Sequence, residues 1–199
     1  MAKVFSRLSL IACLAFSAPA FAQEETGDTV APEDQLAVGQ EAQDDTPQIG
    51  QTYIKEEIGD WELRCVRTDN PDEDPCQLYQ LLKEEDGNPI SEISLFRLPE
   101  GSKLPAGATI IVPLETLLTG ALGISIDGAK PKSYPYSFCN KVGCYARIGL
   151  TEEDIAAYKR GAQATVMLRP FKAPDQVVTS IMSLSGFTAG YDKVTLTQQ

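Results

Sequence analysis

Apolar and polar residues alternate through most of the segment from Tyr53 to Gln199. In "DWELRCV", Trp61, Leu63 and Cys65 share one parity, and a period of two is the pattern of a half-buried β-strand. Similar runs follow along the chain: "CQLYQLLK", "ISEISLFRL", "AGATIIVPL", "GISIDGAKP", "KSYPYSFC", "CYARIGL", "QATVMLRPF" and "QVVTSIMSLSGF". About eight short strands with turn residues between them predict an all-β antiparallel sandwich.

Two segments depart from the alternation and predict short helices. "LTEEDIAAYKRG" has Thr151 as its N-cap, three acids in its first turn, and Gly161 as its stop; these residue types suit the two ends of a helix. "GFTAGYDKVTL" places Phe187 and Tyr191 at helical spacing. That spacing is typical of a short amphipathic turn that covers the core.

Residues 1–22 have the three zones of a cleavable secretory signal. Lys3 and Arg7 give a positive start, the run from Leu8 to Phe16 is apolar, and Ala20 to Ala22 form a small-x-small cleavage site. The apolar run is too short to span a bilayer, and no other stretch of the chain is apolar enough to do so. We expect cleavage after Ala22 and a periplasmic or secreted mature protein.

An alternative for the same segment is a lipoprotein anchored through Cys13, because "LIAC" resembles a lipoprotein box. Only about five apolar residues separate Arg7 from Cys13, whereas an apolar signal region usually has roughly 7–15. The length favours the cleaved signal peptide.

Four cysteines remain after such cleavage, an even number in an oxidising compartment, and this predicts disulfides. A turn-like segment lies inside each of two close pairs, so among the three possible pairings we predict Cys65–Cys76 and Cys139–Cys144. Zinc sites need closer pairs such as C-x2-C and usually histidine, and a thioredoxin-like C-x-x-C is absent. We therefore expect structural disulfides, no metal and no cofactor.

The segment from Gln23 to Thr52 contains eight acids, no Lys or Arg, and no aromatic residue. Such a composition cannot bury enough apolar surface to offset chain entropy, so residues 23–52 are predicted to be a disordered acidic tether. An interaction tail is the functional alternative. Residues 53–199 are then one domain with a single core. The acidic balance of the chain excludes a nucleic-acid partner.

The chain has no histidine, which removes Ser-His-Asp catalysis and most zinc sites. Ser-x-x-Lys, Gly-x-Ser-x-Gly and the glycine-rich nucleotide loops are also absent from the sequence. The acids Glu152, Glu153 and Asp154 remain as candidates for a carboxylate-based hydrolase. Their place in a helix first turn is explained by the helix dipole, and we predict that the protein is not an enzyme.

Eight basic residues and three acids lie between Lys130 and Lys172, with tyrosines interleaved. This balance indicates a mildly basic face for an anionic partner or for the acidic tether itself, and scattered solvated charges are the alternative. The candidate residues of this binding surface are Tyr134, Tyr136, Lys141 and Arg147.

An ordered set of motifs resembles the invasion-associated locus B proteins over roughly Ile58 to Leu196. The set consists of Gly59-Asp60-Trp61-x-x-x-Cys65, a second cysteine at 76, Cys139-x-x-x-Gly143-Cys144, and "LSGF" from Leu184 to Phe187. The resemblance implies an exported alphaproteobacterial protein with an immunoglobulin-like β-sandwich and a family history in host-cell invasion. It brings no catalytic residues, and it gives the cysteines a structural role.

These observations together predict an exported, non-enzymatic protein that binds a protein or a component of the envelope or host surface. An envelope scaffold or assembly factor that acts through the acidic tether is the alternative.

Overall fold

A computed structural model describes residues 46–197 of the chain. The predicted signal peptide and most of the predicted tether lie outside the described residues. Within the described range the elements are β1 (Thr52–Ile58), β2 (Trp61–Val66), β3 (Cys76–Lys83), β4 (Pro89–Arg97), β5 (Ala106–Val112), β6 (Leu122–Ile126), β7 (Lys132–Tyr134), β8 (Tyr136–Cys139), β9 (Cys144–Leu150), α1 (Glu152–Arg160), β10 (Gln163–Leu168), β11 (Val178–Ser183) and α2 (Phe187–Lys193).

All of these strands belong to one hydrogen-bonded sheet, and every strand pair is antiparallel. The main order is β7-β6-β10-β11-β3-β4-β5-β9-β8, and β2 lies off this path between β3 and β1. The all-β prediction is confirmed. The immunoglobulin-like sandwich of two separate sheets is wrong, because the strands form a single curled and nearly closed sheet.

Pro135 separates the two strands that end the main strand order. The segment "KSYPYSFC", predicted as one strand, is divided by Pro135 into β7 and β8, which pair with β6 and β9 respectively. Because β7 and β8 are the two ends of the main strand order, a single residue carries the chain from one end to the other. A proline has no N–H to continue a ladder, so the chain changes its pairing partner there.

The sheet branches at strand β3, which pairs with β2 near its start and with β11 near its end. Its start pairs with β2, so that Cys76 faces Cys65, and its end reaches β11 through Lys83 and Ile181. Gln80 is buried between these two pairings, and its side chain bonds the backbone of both neighbours. This polar contact closes the gap that opens where β2 and β11 diverge.

The sequence did not predict β1. Its residues "TYIKEEI" are mostly exposed, since β1 pairs only with β2 at an edge of the sheet. The hydrogen-bonded chain begins slightly before it: Gly50 N donates to Arg67 O at 2.8 Å, and Arg67 N donates to Gln51 O at 2.9 Å. The last residues of the predicted tether therefore pair with the domain.

Both predicted helices are present. Thr151 caps α1 in a reciprocal capping box with Asp154, and Gly161 ends the helix. Helix α2 buries Phe187 and Tyr191, whose rings lie 5.9 Å apart. Neither helix within residues 46–197 has the length and apolar character that crossing a membrane requires.

The two local disulfides are present as Cys65–Cys76 and Cys139–Cys144. Each joins residues that face each other directly across an antiparallel pair, the first between β2 and β3 and the second between β8 and β9. The first bond is enclosed in the core, whereas in the second Cys144 is buried and Cys139 is exposed.

Candidate functional site

The structure divides the four predicted surface residues between three places. Lys141 lies exposed at the tip of the β8–β9 hairpin, and Arg147 is exposed on β9. Tyr134 lines a cleft beside α1. Tyr136 packs against the core opposite the buried Ala146, and burial raises the pKa of its hydroxyl to about 12. The β8–β9 hairpin thus carries three of the four, and two of these, Lys141 and Arg147, are exposed on it.

Hydrogen bonds within the turn and the disulfide hold the tip of this hairpin. Asn140 N donates to Gly143 O at 3.0 Å, and Asn140 Oδ1 accepts a 2.8 Å bond from Val142 N. Gly143 packs against β5 so closely that an added Cβ would lie 2.5 Å from Val112 O. The tip therefore presents Lys141 and the 63% exposed Val142 in a fixed position.

A row of outward side chains crosses five neighbouring strands and ends at this hairpin. Register pairs residue 81 with 92, 92 with 111, 111 with 145, and 145 with 138, across β3, β4, β5, β9 and β8. Directly opposed residues on one face of a sheet touch each other. We call this set the outer row; its members are Leu81, Glu92, Ile111, Tyr145 and Phe138.

The hairpin end of the outer row is aromatic and cationic. The rings of Phe138 and Tyr145 stack with centroids 4.5 Å apart, and the Arg147 guanidinium lies 5.4 Å from the Phe138 ring centroid. Asn140 Nδ2 donates to Tyr145 Oη at 3.2 Å. Phe138 nevertheless keeps 43% of its surface exposed, so a large apolar ring is offered in a held orientation.

An apolar groove of about 450 Å³ runs beside the outer row, from Leu81 to the tip of the hairpin. Leu81, Leu114 and Val142 line it and are 45%, 52% and 63% exposed. Contiguous exposed apolar surface of this kind marks interaction sites more often than isolated apolar residues do. We call this space the hairpin groove, since Val142 forms its wall at the hairpin tip.

Glu92 is the single acid of the outer row, and one of its oxygens accepts a hydrogen bond. Tyr79 Oη donates to Glu92 Oε2 at 2.8 Å. Burial, with the hydrogen bond to Glu92, raises the pKa of Tyr79 to about 12. The phenol therefore stays protonated and keeps donating. Lys141 and Arg147 are the exposed cations at the hairpin.

The motifs that suggested a family resemblance meet elsewhere, in the interior. Trp61 Nε1 donates to Ser183 O at 2.9 Å, and Asp60 N donates to Ser185 O at 3.2 Å. The Trp61 and Phe187 rings meet edge to face at 5.6 Å. "GDW" and "LSGF" thus form one packed junction, and their role is structural.

The acids proposed for a hydrolase are placed by the helix. Asp154 accepts from Thr151 N at 3.1 Å and forms an ion pair with Lys132. Burial alone would raise the pKa of Asp154, but Lys132 and Thr151 outweigh it and lower that pKa below its ordinary value. Within residues 46–197, no three His, Cys, Asp or Glu side chains are grouped to bind a metal ion.

Sequence reasoning missed the apolar members of the outer row. Phe138 and Tyr145 flank the predicted pair of Cys139 and Cys144, and strand alternation places them on the face opposite to the buried Cys144. That parity was a usable signal for both aromatic residues. The contribution of Leu81 and Ile111 depends on the pairing of β3, β4, β5 and β9, which the sequence does not display.

Comparison with known proteins gives the following relationships. The family model described as "Invasion associated locus B (IalB) protein" matches residues 61–195, more than half of the chain. The crystal structure of invasion associated protein b from Bartonella henselae is similar, with a TM-score of 0.58 and 17% sequence identity. That match covers 72% of this chain and 94% of the Bartonella chain. At this low sequence identity the similarity shows a shared fold and nothing more. No curated protein matches the sequence significantly.

Proposed function

The chain belongs to the invasion associated locus B (IalB) family, and we propose that it is an invasion-associated envelope protein that binds another protein through its outer row and hairpin groove. The role is one of binding rather than catalysis, and the protein is periplasmic or secreted after cleavage of its signal peptide at Ala22.

The observation that carries this proposal is the exposed apolar side chains of the outer row and the hairpin groove. Phe138 and Leu81, which belong to the outer row, are 43% and 45% exposed. Val142, which lines the hairpin groove, is 63% exposed. Leaving such a surface in water costs free energy of about 25 cal/mol per Å² of apolar area. A partner that covers this surface recovers that free energy.

Charge defines the partner further. Lys141 and Arg147 are exposed cations at the hairpin, whereas Glu92 lies on β4 and accepts a hydrogen bond from Tyr79. Complementary charge steers association and fixes the register of a complex. We therefore expect a folded protein that presents apolar side chains, with acidic residues placed to meet these two cations.

Two features support export and binding. Disulfides persist in oxidising compartments such as the periplasm and outside the cell, so the two disulfides support export. Each of them joins directly opposed residues of an antiparallel strand pair. The second of them holds the hairpin that carries Lys141 and Val142. A surface whose geometry is fixed before binding loses less conformational entropy when the complex forms.

The experiment is site-specific photocrosslinking in the source bacterium. A photoreactive amino acid replaces Val142 in the full-length protein, with an otherwise identical protein labelled at Phe171 as the control, since Phe171 is 67% exposed and lies outside the outer row. We expect a discrete heteromeric adduct at position 142 that is weak or missing at position 171. Equal labelling at both positions, no adduct at position 142, or an adduct only with a second copy of the chain would overturn the proposal.

A further inference from the structure

A second concave site lies between α1 and the β6–β7 hairpin, away from the outer row. We call it the α1 cleft; its volume is about 330 Å³, at the small end of the range for ligand pockets. Apolar side chains from both elements line its walls, and polar groups stand among them. Ile124, Ile126 and Ala157 supply the apolar lining used below.

Tyr158 gives the α1 cleft a polar group at its floor. The residue is only 4% exposed, and its ring is held 5.4 Å from the Phe187 ring centroid. Within residues 46–197 its hydroxyl has no hydrogen-bond partner, and it is not one of the fully enclosed orphan atoms, which are Arg67 Nε and Tyr136 Oη. Because Tyr158 lines the cleft, a ligand oxygen there can satisfy this hydroxyl.

Tyr134 stands near Tyr158 in the same cleft. Burial, followed by the neighbouring Asp154 carboxylate, raises the pKa of Tyr134, and burial likewise raises the pKa of Tyr158. Both phenols therefore stay protonated at neutral pH and are available as donors. Two hydroxyl donors beside apolar walls suit a ligand with an acceptor at one end and an apolar body.

Two of the acids at the α1 cleft are already engaged by the protein. Asp127 Oδ1 accepts from the backbone N–H groups of Ala162 and Gln163, each at 3.1 Å. Asp154 takes the capping-box bonds and the ion pair with Lys132. Lys132 therefore offsets the charge of Asp154, whereas Asp127 keeps its negative charge with its oxygens turned to backbone N–H groups.

Two cations at the rim are available. Lys130 and Arg160 are exposed, and within the described part of the chain they form no hydrogen bond or ion pair. Glu153, exposed in the first turn of α1, and Asp127 are the acids that stand against them. The charges that line the cleft therefore balance, with Lys130, Lys132 and Arg160 against three acids, and this favours a singly charged anion over a doubly charged one such as a phosphate monoester.

We propose that the α1 cleft binds a small organic monocarboxylate with an apolar body. The carboxylate meets Lys130, Arg160 and the tyrosine hydroxyls, since ionised acceptors form the stronger hydrogen bonds. The apolar body lies against Ile124, Ile126 and Ala157. This is a small-molecule site, separate from the protein-binding surface proposed above.

The probes are phenylacetate and hexanoate, each compared with its neutral amide, phenylacetamide or hexanamide. Binding is followed through changes in the backbone amide chemical shifts of the ¹⁵N-labelled mature protein. We expect at least one carboxylate to shift the amides of Ala157 and Gly161, with its neutral amide bound about fivefold more weakly or not at all. Added salt weakens carboxylate binding because the cations are exposed.

The matched variants test the assigned contacts. Lys130→Gln combined with Arg160→Gln is expected to weaken carboxylate binding about fivefold, and Tyr158→Phe about threefold while keeping the ring. Lys103→Gln, an exposed cation outside the cleft, should bind as wild type does. The proposal is overturned if neither carboxylate shifts these amides, if the neutral amides bind equally well, or if the cleft variants bind as tightly as the Lys103 control.

Discussion

The side-chain amide of Gln80 pairs with the backbone of Ser183 in both directions. Gln80 Nε2 donates to Ser183 O at 3.1 Å, and Ser183 N donates to Gln80 Oε1 at 2.8 Å. Gln80 Nε2 also donates to Asp60 O at 3.0 Å. One buried side chain thus joins β3 to the end of β11 and to the turn before β2, at the place where the sheet branches.

Replacing Gln80 with Met keeps the length of the side chain and removes these bonds. We expect the free energy of unfolding to fall by about 2 kcal/mol, because the Ser183 N–H loses its partner. Urea denaturation measures the change. A matched change at the half-buried Gln77 of the same strand, Gln77→Met, should cost well under 1 kcal/mol, as surface substitutions usually do. Equal losses would mean that the Gln80 bonds contribute little.

Gly186 and Gly59 pack backbone to backbone, and both have positive φ, 85° and 62°. A Cβ on Gly186 would lie 2.0 Å from Ile58 O. Gly186→Ala should therefore cost about 3 kcal/mol or more, from the left-handed conformation and the clash together. Gly87→Ala is the control, since Gly87 has φ 91° but open space around its Cβ position, and it should cost only about 1–2 kcal/mol. Thermal unfolding compares the two variants.

The two disulfides should be reduced in order. A thiolate must reach a sulfur atom to open a disulfide, and Cys139 is exposed whereas Cys65 and Cys76 are 0% and 6% exposed. Under native conditions with a mild dithiol, alkylation and mass mapping should label Cys139 and Cys144 well before the core pair. In denaturant the difference should vanish. Simultaneous labelling of all four cysteines in the native protein would contradict the assigned burial.

Acid should destabilise the domain in part through Asp74. Burial acts to raise the pKa of this carboxyl, but hydrogen bonds from Tyr53 and Thr68 and the charge of Arg67 outweigh it and lower the pKa below its ordinary value. A carboxyl with a lowered folded-state pKa contributes stability that is present above its unfolded pKa of about 3.9 and is lost as the pH falls through the folded value.

Asp74→Asn should lose that part of the pH dependence. Its free energy of unfolding is expected to be lower than that of the wild type at pH 7, with the difference narrowing as the pH falls below about 4. The exposed Asp175→Asn variant should follow the wild-type curve. A constant difference between Asp74→Asn and wild type from pH 7 to pH 2 would show that the ionised carboxylate is not the source of the stability.

Local patterns predicted much of the fold because their causes are local. Alternation identified the segments of the inner strands, and Thr151 and Gly161 identified the ends of α1. The edge strand β1 buries little and has no such alternation. The single curled sheet depends on Pro135 carrying the chain from β7 to β8, a consequence of long-range pairing that no local pattern contains.

The candidate surface was predicted only in part for the same reason. Lys141 and Arg147 were found from charge, whereas Phe138 became significant once its stack on Tyr145 and its place in the outer row were known. Tyr134 lies in the α1 cleft instead. The signal peptide, the tether at residues 23–45 and the place of the protein in the cell stay predictions.

Substitutions at two phenylalanines test whether the outer row binds the partner. Phe138 and Phe171 are both exposed, at 43% and 67%, but only Phe138 belongs to the outer row. With the partner identified by crosslinking at position 142, the dissociation constant is measured for wild type, Phe138→Ala and Phe171→Ala. We expect Phe138→Ala to weaken binding at least about tenfold, as loss of an aromatic anchor that the partner buries does, while Phe171→Ala changes it less than about twofold. Wild-type affinity in Phe138→Ala, or equal losses in both variants, would contradict this expectation.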